Sequence, residues 1–306
     1  MEKKITLSGF LIALSGAVFF STKAILVKLA FRDTHADAVT VLTLRMLFSL
    51  PFYLGAVWLV ARKDNKEQLS RRDWGWLLVM GILGYYLSSL FDFIGLQYVS
   101  AGLERLILFL YPTFAVLINT FYFKTKLSRI QLIALSLTYL GISIAYLGEF
   151  NMDTDNPKFF FGSFMIFLCA VTYSFYLVGT GRLVNKVGVT RYTAYVMLAA
   201  SMGIFIHFLV THPLSAIQLT PQLTWYSIGL AVIATVLPSF MMSMGMKKIG
   251  SNNVSIITSI GPVSTILQAH WLLGEKIIPA QIIGTVLVIT GVILIGWQSR
   301  QMVTAD

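Results

Sequence analysis

A handful of ionisable residues lie where the sequence is otherwise oily. Lys23 and Lys28 fall in the apolar run 7–30, Arg45 in the next run, Asp92 in the third, and Glu104 with Arg105 at the start of the fourth. A charge at mid-bilayer depth costs from about 2.5 kcal/mol upward, so such groups face a cavity or an opposite charge. Lys28 is near the end of its run, where a long stem can snorkel to the interface. Lys23 is five residues deeper, about 7.5 Å further along a helix of 1.5 Å rise, and favours a cavity or a partner. Two roles suit Lys23, Arg45, Asp92 and Glu104. One is an ion network that holds helices together. The other is a substrate or coupling site in which Lys23, Asp92 and Glu104 exchange protons while Arg45 keeps its charge.

Other polar side chains recur at helical spacing. Glu104, Leu108, Tyr111, Ala115 and Asn119 form one stripe, so a carboxylate, a phenol and an amide share a face. Tyr173 and Tyr176 lie with Thr172 and Thr180 on another, and Gln268 and His270 are polar residues near one end of the run 252–273. Aromatic stripes in such helices mostly serve packing or interface belts, and less often binding. Pro112 and Pro262 each interrupt an apolar run and are candidate hinges, since proline removes a backbone donor and crowds the preceding turn.

Several chemistries are missing. The single Cys169 excludes an internal disulfide and a cysteine metal cluster, and His35, His207, His212 and His270 have no metal-ligand spacing. There is no H-E-x-x-H motif, no pair of intramembrane aspartates and no G-x-x-x-x-G-K-[ST] loop. No metal, cofactor or enzymatic activity is expected, and an intramembrane enzyme is the weaker alternative. A scaffold without transport is a third reading, poorly served by charges inside spans.

The elements that position these residues follow from composition. The 306-residue chain is 57% hydrophobic and 12% charged, with a mean hydropathy of +0.77; soluble domains carry about 25% charge. Spans of about 20 residues fit at 7–30, 39–61, 74–97, 102–123, 128–148, 159–181, 192–211, 223–246, 252–273 and 278–298. The basic start precedes an apolar stretch too long for a cleaved signal peptide, so the first span is expected to be retained. The net charge of +10 comes in small groups between spans, which argues against nucleic acid as a partner. Those groups alternate. With a cytoplasmic N-terminus, 16 of the 23 lysines and arginines fall on the cytoplasmic side and three outside. The positive-inside rule therefore predicts ten spans with both termini cytoplasmic.

The halves resemble each other. The segment from Tyr111 to Gly141 overlies that from Gly261 to Gly291 without a gap, matching Pro112 with Pro262, Lys126 with Lys276, Gln131 with Gln281 and Gly141 with Gly291. Gly9, Ala17 and Ser21 likewise match Gly162, Ala170 and Ser174. Five spans per half make the copies insert with opposite orientation, an architecture of secondary transporters with the substrate site between the halves. The expected fold is an all-α integral membrane protein of ten transmembrane helices, as two inverted five-helix repeats over 1–150 and 151–306.

The chain resembles the ten-helix EamA-type members of the drug/metabolite transporter superfamily. The residues that carry the likeness are "VKLAF" (27–31), "LRMLFSLPF" (44–52) and "GPVSTILQAHWLLGEKIIPAQIIGTVLVITGVILIG" (261–296). Where the family's first span commonly reads W-G-S-S-F-V-A-I-K, this chain has "FSTKAILVK", so Lys28 takes the family's lysine position and Lys23 replaces a small polar residue. The second half keeps the family's glutamate as Glu275, whereas the first has Thr125, which points to a structural or one-sided role for that carboxylate. The resemblance implies a central cavity walled by both halves, with the fifth and tenth spans peripheral. It also implies a secondary transporter, an exporter with H+ as a candidate coupling ion, in the bacterial inner membrane. The best substrate guess is a small polar or amphiphilic metabolite such as an amino acid or related carboxylate. Import or exchange of a nucleotide-like metabolite is the alternative, and a homodimer is an open assembly. The lipid bilayer is the other partner.

Overall fold

A computed structural model describes residues 6–62, 69–111, 113–114, 117–118, 129–151, 156–249, 254, 257–258 and 260–303. Among these residues the chain is helical throughout, with no strand. The helices are α1 (Leu7–Thr34), α2 (Ala38–Ala61), α3 (Arg71–Gly81), α4 (Ser88–Leu96), α5 (Ala101–Leu108), α6 (Arg129–Phe150), α7 (Phe159–Val187), α8 (Val189–Thr211), α9 (Pro221–Ala231), α10 (Leu237–Ile249), α11 (Gly261–Leu273) and α12 (Pro279–Val303). Polar residues set several boundaries. Thr6 caps α1 through Gly9, Asp37 caps α2 through Val39 and Thr40, and Ser70 and Asp73 form a reciprocal capping box on α3. α1 stops at His35, whose left-handed backbone (φ 54°) returns its N–H to the Phe31 carbonyl.

Among the described residues, seven helical stretches are long and apolar enough to cross a membrane: Leu7–Thr34, Ala38–Val60, Arg71–Leu96, Leu132–Phe150, Phe159–Tyr176, Val189–Thr211 and Pro221–Met242. The other three expected spans, 102–123, 252–273 and 278–298, contain α5, α11 and the apolar helix Pro279–Gly291, each shorter than that measure among the described residues. The exterior suits lipid. Large apolar side chains such as Leu11, Leu54, Leu140 and Ile206 are exposed, while Lys23, Arg45, Asp92, Glu104 and Arg105 are buried. That inversion of the usual soluble pattern is what a hydrocarbon solvent selects, because backbone and charge must be satisfied inside.

Two rods have the same internal break. α3 passes through a π-helical turn at Ile82–Leu87 into α4, and α9 passes through another at Val232–Val236 into α10. The two turns begin 150 residues apart, as do α3 and α9. Packing also crosses the chain midpoint: α1 lies against α9, α10 and α11, whereas α7 lies against α3, α4 and α5.

α6 and α12 pair through glycine. A β-carbon on Gly141 would meet the Gly284 carbonyl oxygen at 2.6 Å, and one on Gly291 would meet the Ala134 carbonyl oxygen at 2.7 Å. A rising position on α6 thus meets a falling one on α12, so the two run antiparallel. The carbonyl contacts leave no room for a side chain, which is how small residues bring membrane helices together.

Candidate functional site

At the centre, three cations and two carboxylates are buried together. The Lys23 ammonium lies 2.7 Å from Asp92 Oδ2 and 3.3 Å from Glu104 Oε1. α1 supplies the lysine, α4 the aspartate and α5 the glutamate. Glu104 is fully buried and Asp92 nearly so, at 0% and 1% exposure. Attraction between buried charges repays their lost hydration only when geometry is close, and here one ammonium serves two carboxylates.

The guanidinium groups stand differently. Nε and Nη1 of Arg45, and Nε of Arg105, are buried without a hydrogen-bond acceptor. Their planes rest on rings instead: Arg45 Cζ lies 5.3 Å from the Phe93 centroid, and Arg105 Cζ lies 5.4 Å from both Phe20 and Phe109. Such cation–π contacts contribute about 0.5–2 kcal/mol but accept no hydrogen bond. On the acceptor side, Asp92 Oδ1 and Glu104 Oε2 are also unpaired.

The cluster faces a cavity of about 320 Å3. Lys23, Arg45, Asp92 and Arg105 line it from the first half of the chain, while Cys169, Tyr173, Tyr176, Tyr192 and Ser239 line it from the second. An aromatic run crosses the wall. Tyr111 meets Tyr173 edge-on at 5.2 Å, Tyr173 lies 5.6 Å from Tyr176, and Tyr176 meets Tyr85 edge-on at 5.3 Å. Tyr192 stacks on Tyr176 at 6.3 Å. Among the described residues, no group of three or more His, Cys, Asp or Glu could hold a metal ion.

The structure brings six residues singled out in the sequence to this cavity: Lys23, Arg45, Asp92, Tyr111, Tyr173 and Tyr176. Glu104 stands behind Lys23 and reaches the cavity through it. Gln268 and His270 do not line it. Gln268 donates to Ser264 Oγ at 2.9 Å on its own helix, and His270 is exposed with Nδ1 2.9 Å from the Glu275 carbonyl oxygen. α11 buries the face of Thr265, Ile266 and Ala269, which leaves Gln268 half-buried and His270 outside. Asn119 and Pro112 lie outside the described residues. Pro262 occupies the first turn of α11, where its missing N–H removes no intrahelical bond. The stripe expected along one helix from Glu104 breaks after Leu108, because α5 ends at Phe109 (ψ 5°).

Sequence reasoning left out Tyr85, Tyr192 and the cavity-facing role of Cys169. Tyr85 had a signal: with Ser88, Ser89 and Asp92 it falls at helical spacing on one face. Lys28, near the end of its span, donates to the Val99 carbonyl oxygen at 2.6 Å, in the link between α4 and α5. Beside it, Glu275 accepts from the backbone N–H groups of Ala101 and Gly102 at 3.0 and 3.5 Å and so caps α5. Glu149, held by Gln281 at 2.9 Å, accepts from Ser100 N–H in the same ring of contacts.

Long apolar helices around a charged, ligand-sized chamber define a multi-pass membrane protein. The chain belongs to the EamA-like transporter family, whose sequence pattern matches it twice, over residues 7–147 and 160–297. It is 32% identical over 285 residues to the uncharacterized transporter YcbK of Bacillus subtilis (strain 168), covering 90% of this chain and 89% of that one. An uncharacterized transporter of Archaeoglobus fulgidus is 23% identical over 92% of this chain and 93% of its own length. The uncharacterized inner membrane transporter YicL of Salmonella typhimurium is 22% identical over 98% of this chain and 99% of its own. One solved crystal structure shares the fold with a TM-score of 0.67, at 18% identity over 96% of this chain and 98% of that one.

Proposed function

We propose that this protein is a secondary transporter that exports a small polar or amphiphilic metabolite, an amino acid or related carboxylate, in exchange for protons. The observation that carries the reading is the cavity itself. Both family repeats line it, and an ammonium shared by two carboxylates sits in its wall. Such a triad can hold or release a proton as Asp92 and Glu104 change partners, while Arg45 and Arg105 remain charged for the substrate. Transport then consists of opening the cavity alternately to either side.

The proposed architecture is ten spans in two inverted units, 1–150 and 151–306, with both termini cytoplasmic in a bacterial inner membrane. Three features support it. The π-helical turns recur 150 residues apart. The contact of Gly141 with Gly284 becomes that of Gly291 with Ala134 when each partner is replaced by its counterpart 150 residues away, as a pseudo-two-fold axis requires. The antiparallel course of α6 and α12 is the sense of inversion.

Purified protein in liposomes tests the function. Metabolite flux should be saturable, should respond to an imposed proton gradient, and should collapse in Lys23→Ala. Normal flux in that variant would refute the role given to the triad.

A further inference from the structure

The cavity's charge and its aromatic wall narrow the substrate class, an argument that rests on the transporter reading above. Lys23 is committed, since its ammonium is within 2.7 and 3.3 Å of two carboxylates. The donors left over belong to the guanidinium groups: buried Nε and Nη1 of Arg45 and Nε of Arg105 have no acceptor. A fork of N–H donors such as each guanidinium presents is suited to a planar oxyanion. With both carboxylates ionised, Lys23, Arg45 and Arg105 against Asp92 and Glu104 leave one positive charge uncompensated in a buried cluster, and a proton held by the triad adds to that excess. A ligand of net charge −1 neutralises it.

A zwitterion would not. Its ammonium would be drawn to the free Asp92 Oδ1, but it would enter beside three fixed cations and leave the excess charge in place. The rest of the ligand must meet tyrosine. Tyr85, Tyr111, Tyr173, Tyr176 and Tyr192 line the cavity with adjoining ring centroids 5.2 to 6.3 Å apart, a wall suited to offset or edge contact with another ring. The volume of about 320 Å3 is at the lower end of the range for ligand pockets, about 300–1,000 Å3. It suits one ring or a fused pair and is small for a nucleotide.

We propose that the substrate is a planar aromatic monoanion, a carboxylate on a one- or two-ring body, seated with its carboxylate on Arg45 and Arg105 and its ring among the tyrosines, with Lys23 holding the site open but not binding the ligand.

The test is equilibrium binding of radiolabelled indole-3-acetate to the purified full chain in nanodiscs, competed by tryptophan (zwitterion), tryptamine (cation) and acetate (anion without a ring). Indole-3-acetate should displace the label about tenfold or more better than any of the three, the loss expected when a charged hydrogen bond or a buried ring is removed. Arg45→Gln and Arg105→Gln should each weaken binding by about tenfold or more. Protection of Cys169, the single cysteine and a cavity-lining residue, from N-ethylmaleimide by indole-3-acetate would place the ligand in this cavity. Tryptophan or tryptamine competing as well as indole-3-acetate would overturn the proposal, as would equal competition by acetate or no binding at all. If an arginine variant does not fold, the competition series on the unaltered protein still decides. Flux of some other metabolite without indole-3-acetate binding would refute this class and leave the transporter reading standing. Binding without flux of any kind would refute transport.

Discussion

Lys23 is the residue on which the central cluster depends. Removing its ammonium leaves Asp92 and Glu104 as two buried carboxylates in contact with no cation, and breaking a buried pair this way costs about 3–5 kcal/mol. Lys23→Ala should therefore lower the thermal unfolding midpoint in detergent, and Asp92→Asn added to it should recover part of the loss. A double variant no more stable than Lys23→Ala would contradict the pairing. Asp37, between α1 and α2 and outside the spans, offers a second test. Burial alone would raise its carboxyl pKa, but the Thr40 hydroxyl and N–H, a nearby His212 and the Val39 N–H outweigh it and hold the group below the usual carboxylate range. A depressed folded value contributes stability that is present above the unfolded value of about 3.9 and is lost as pH falls through the folded one. Asp37→Ala should cost about 1 kcal/mol at neutral pH, as for other helix caps, and should flatten the acid limb of a melting-temperature profile. An unchanged acid limb would count against the cap. The charges were legible in sequence because they stand in otherwise apolar spans. Tyr85 and Tyr192 were less so, since tyrosine is common in membrane helices and only packing tells a cavity wall from a lipid-facing ring.

Among the elements, the α6–α12 pair is the most constrained. Gly141→Leu or Gly284→Leu would drive a side chain into a facing carbonyl, and overpacking of this kind costs about 1–3 kcal/mol. Gly55, in α2, has nothing within 4 Å of where its β-carbon would be; Gly55→Ala should fold at wild-type yield. Comparing monodispersity of the three variants by size-exclusion chromatography checks both claims. Equal behaviour would mean that the glycine contact is not needed. Gly141 and Gly291 were visible as a matched pair in the repeat, but their partners were not, because spacing along one helix does not say which other helix it meets. Nor did anything in residues 82–87 or 232–236 announce a π-helical turn. The side on which His270 falls was not legible either: α11 turns Thr265 and Ala269 inward, and that rotation is fixed by contacts with α1 and α5 and not by the apolar pattern, which is nearly uniform around the helix.

For the whole molecule, hydropathy was enough to read a helical membrane protein, since a bilayer restricts the alternatives so strongly, and the residues matched 150 positions apart were enough to read two similar halves. What they could not supply was the enclosure: α1 packs into the second half and α7 into the first, so the polar faces of both converge on one space. That convergence makes a central prediction, a water-accessible chamber within the membrane domain, and Cys169 reports on it. It lines the cavity and is the single cysteine of the chain. The most direct measurement is the reaction of Cys169 with a charged, membrane-impermeant methanethiosulfonate in intact proteoliposomes, with the reagent applied to each face in turn. The folded protein should be modified from an aqueous face, at a rate that changes when a transported metabolite is present. A thiol that reacts only after denaturation, whichever face is treated, would contradict it.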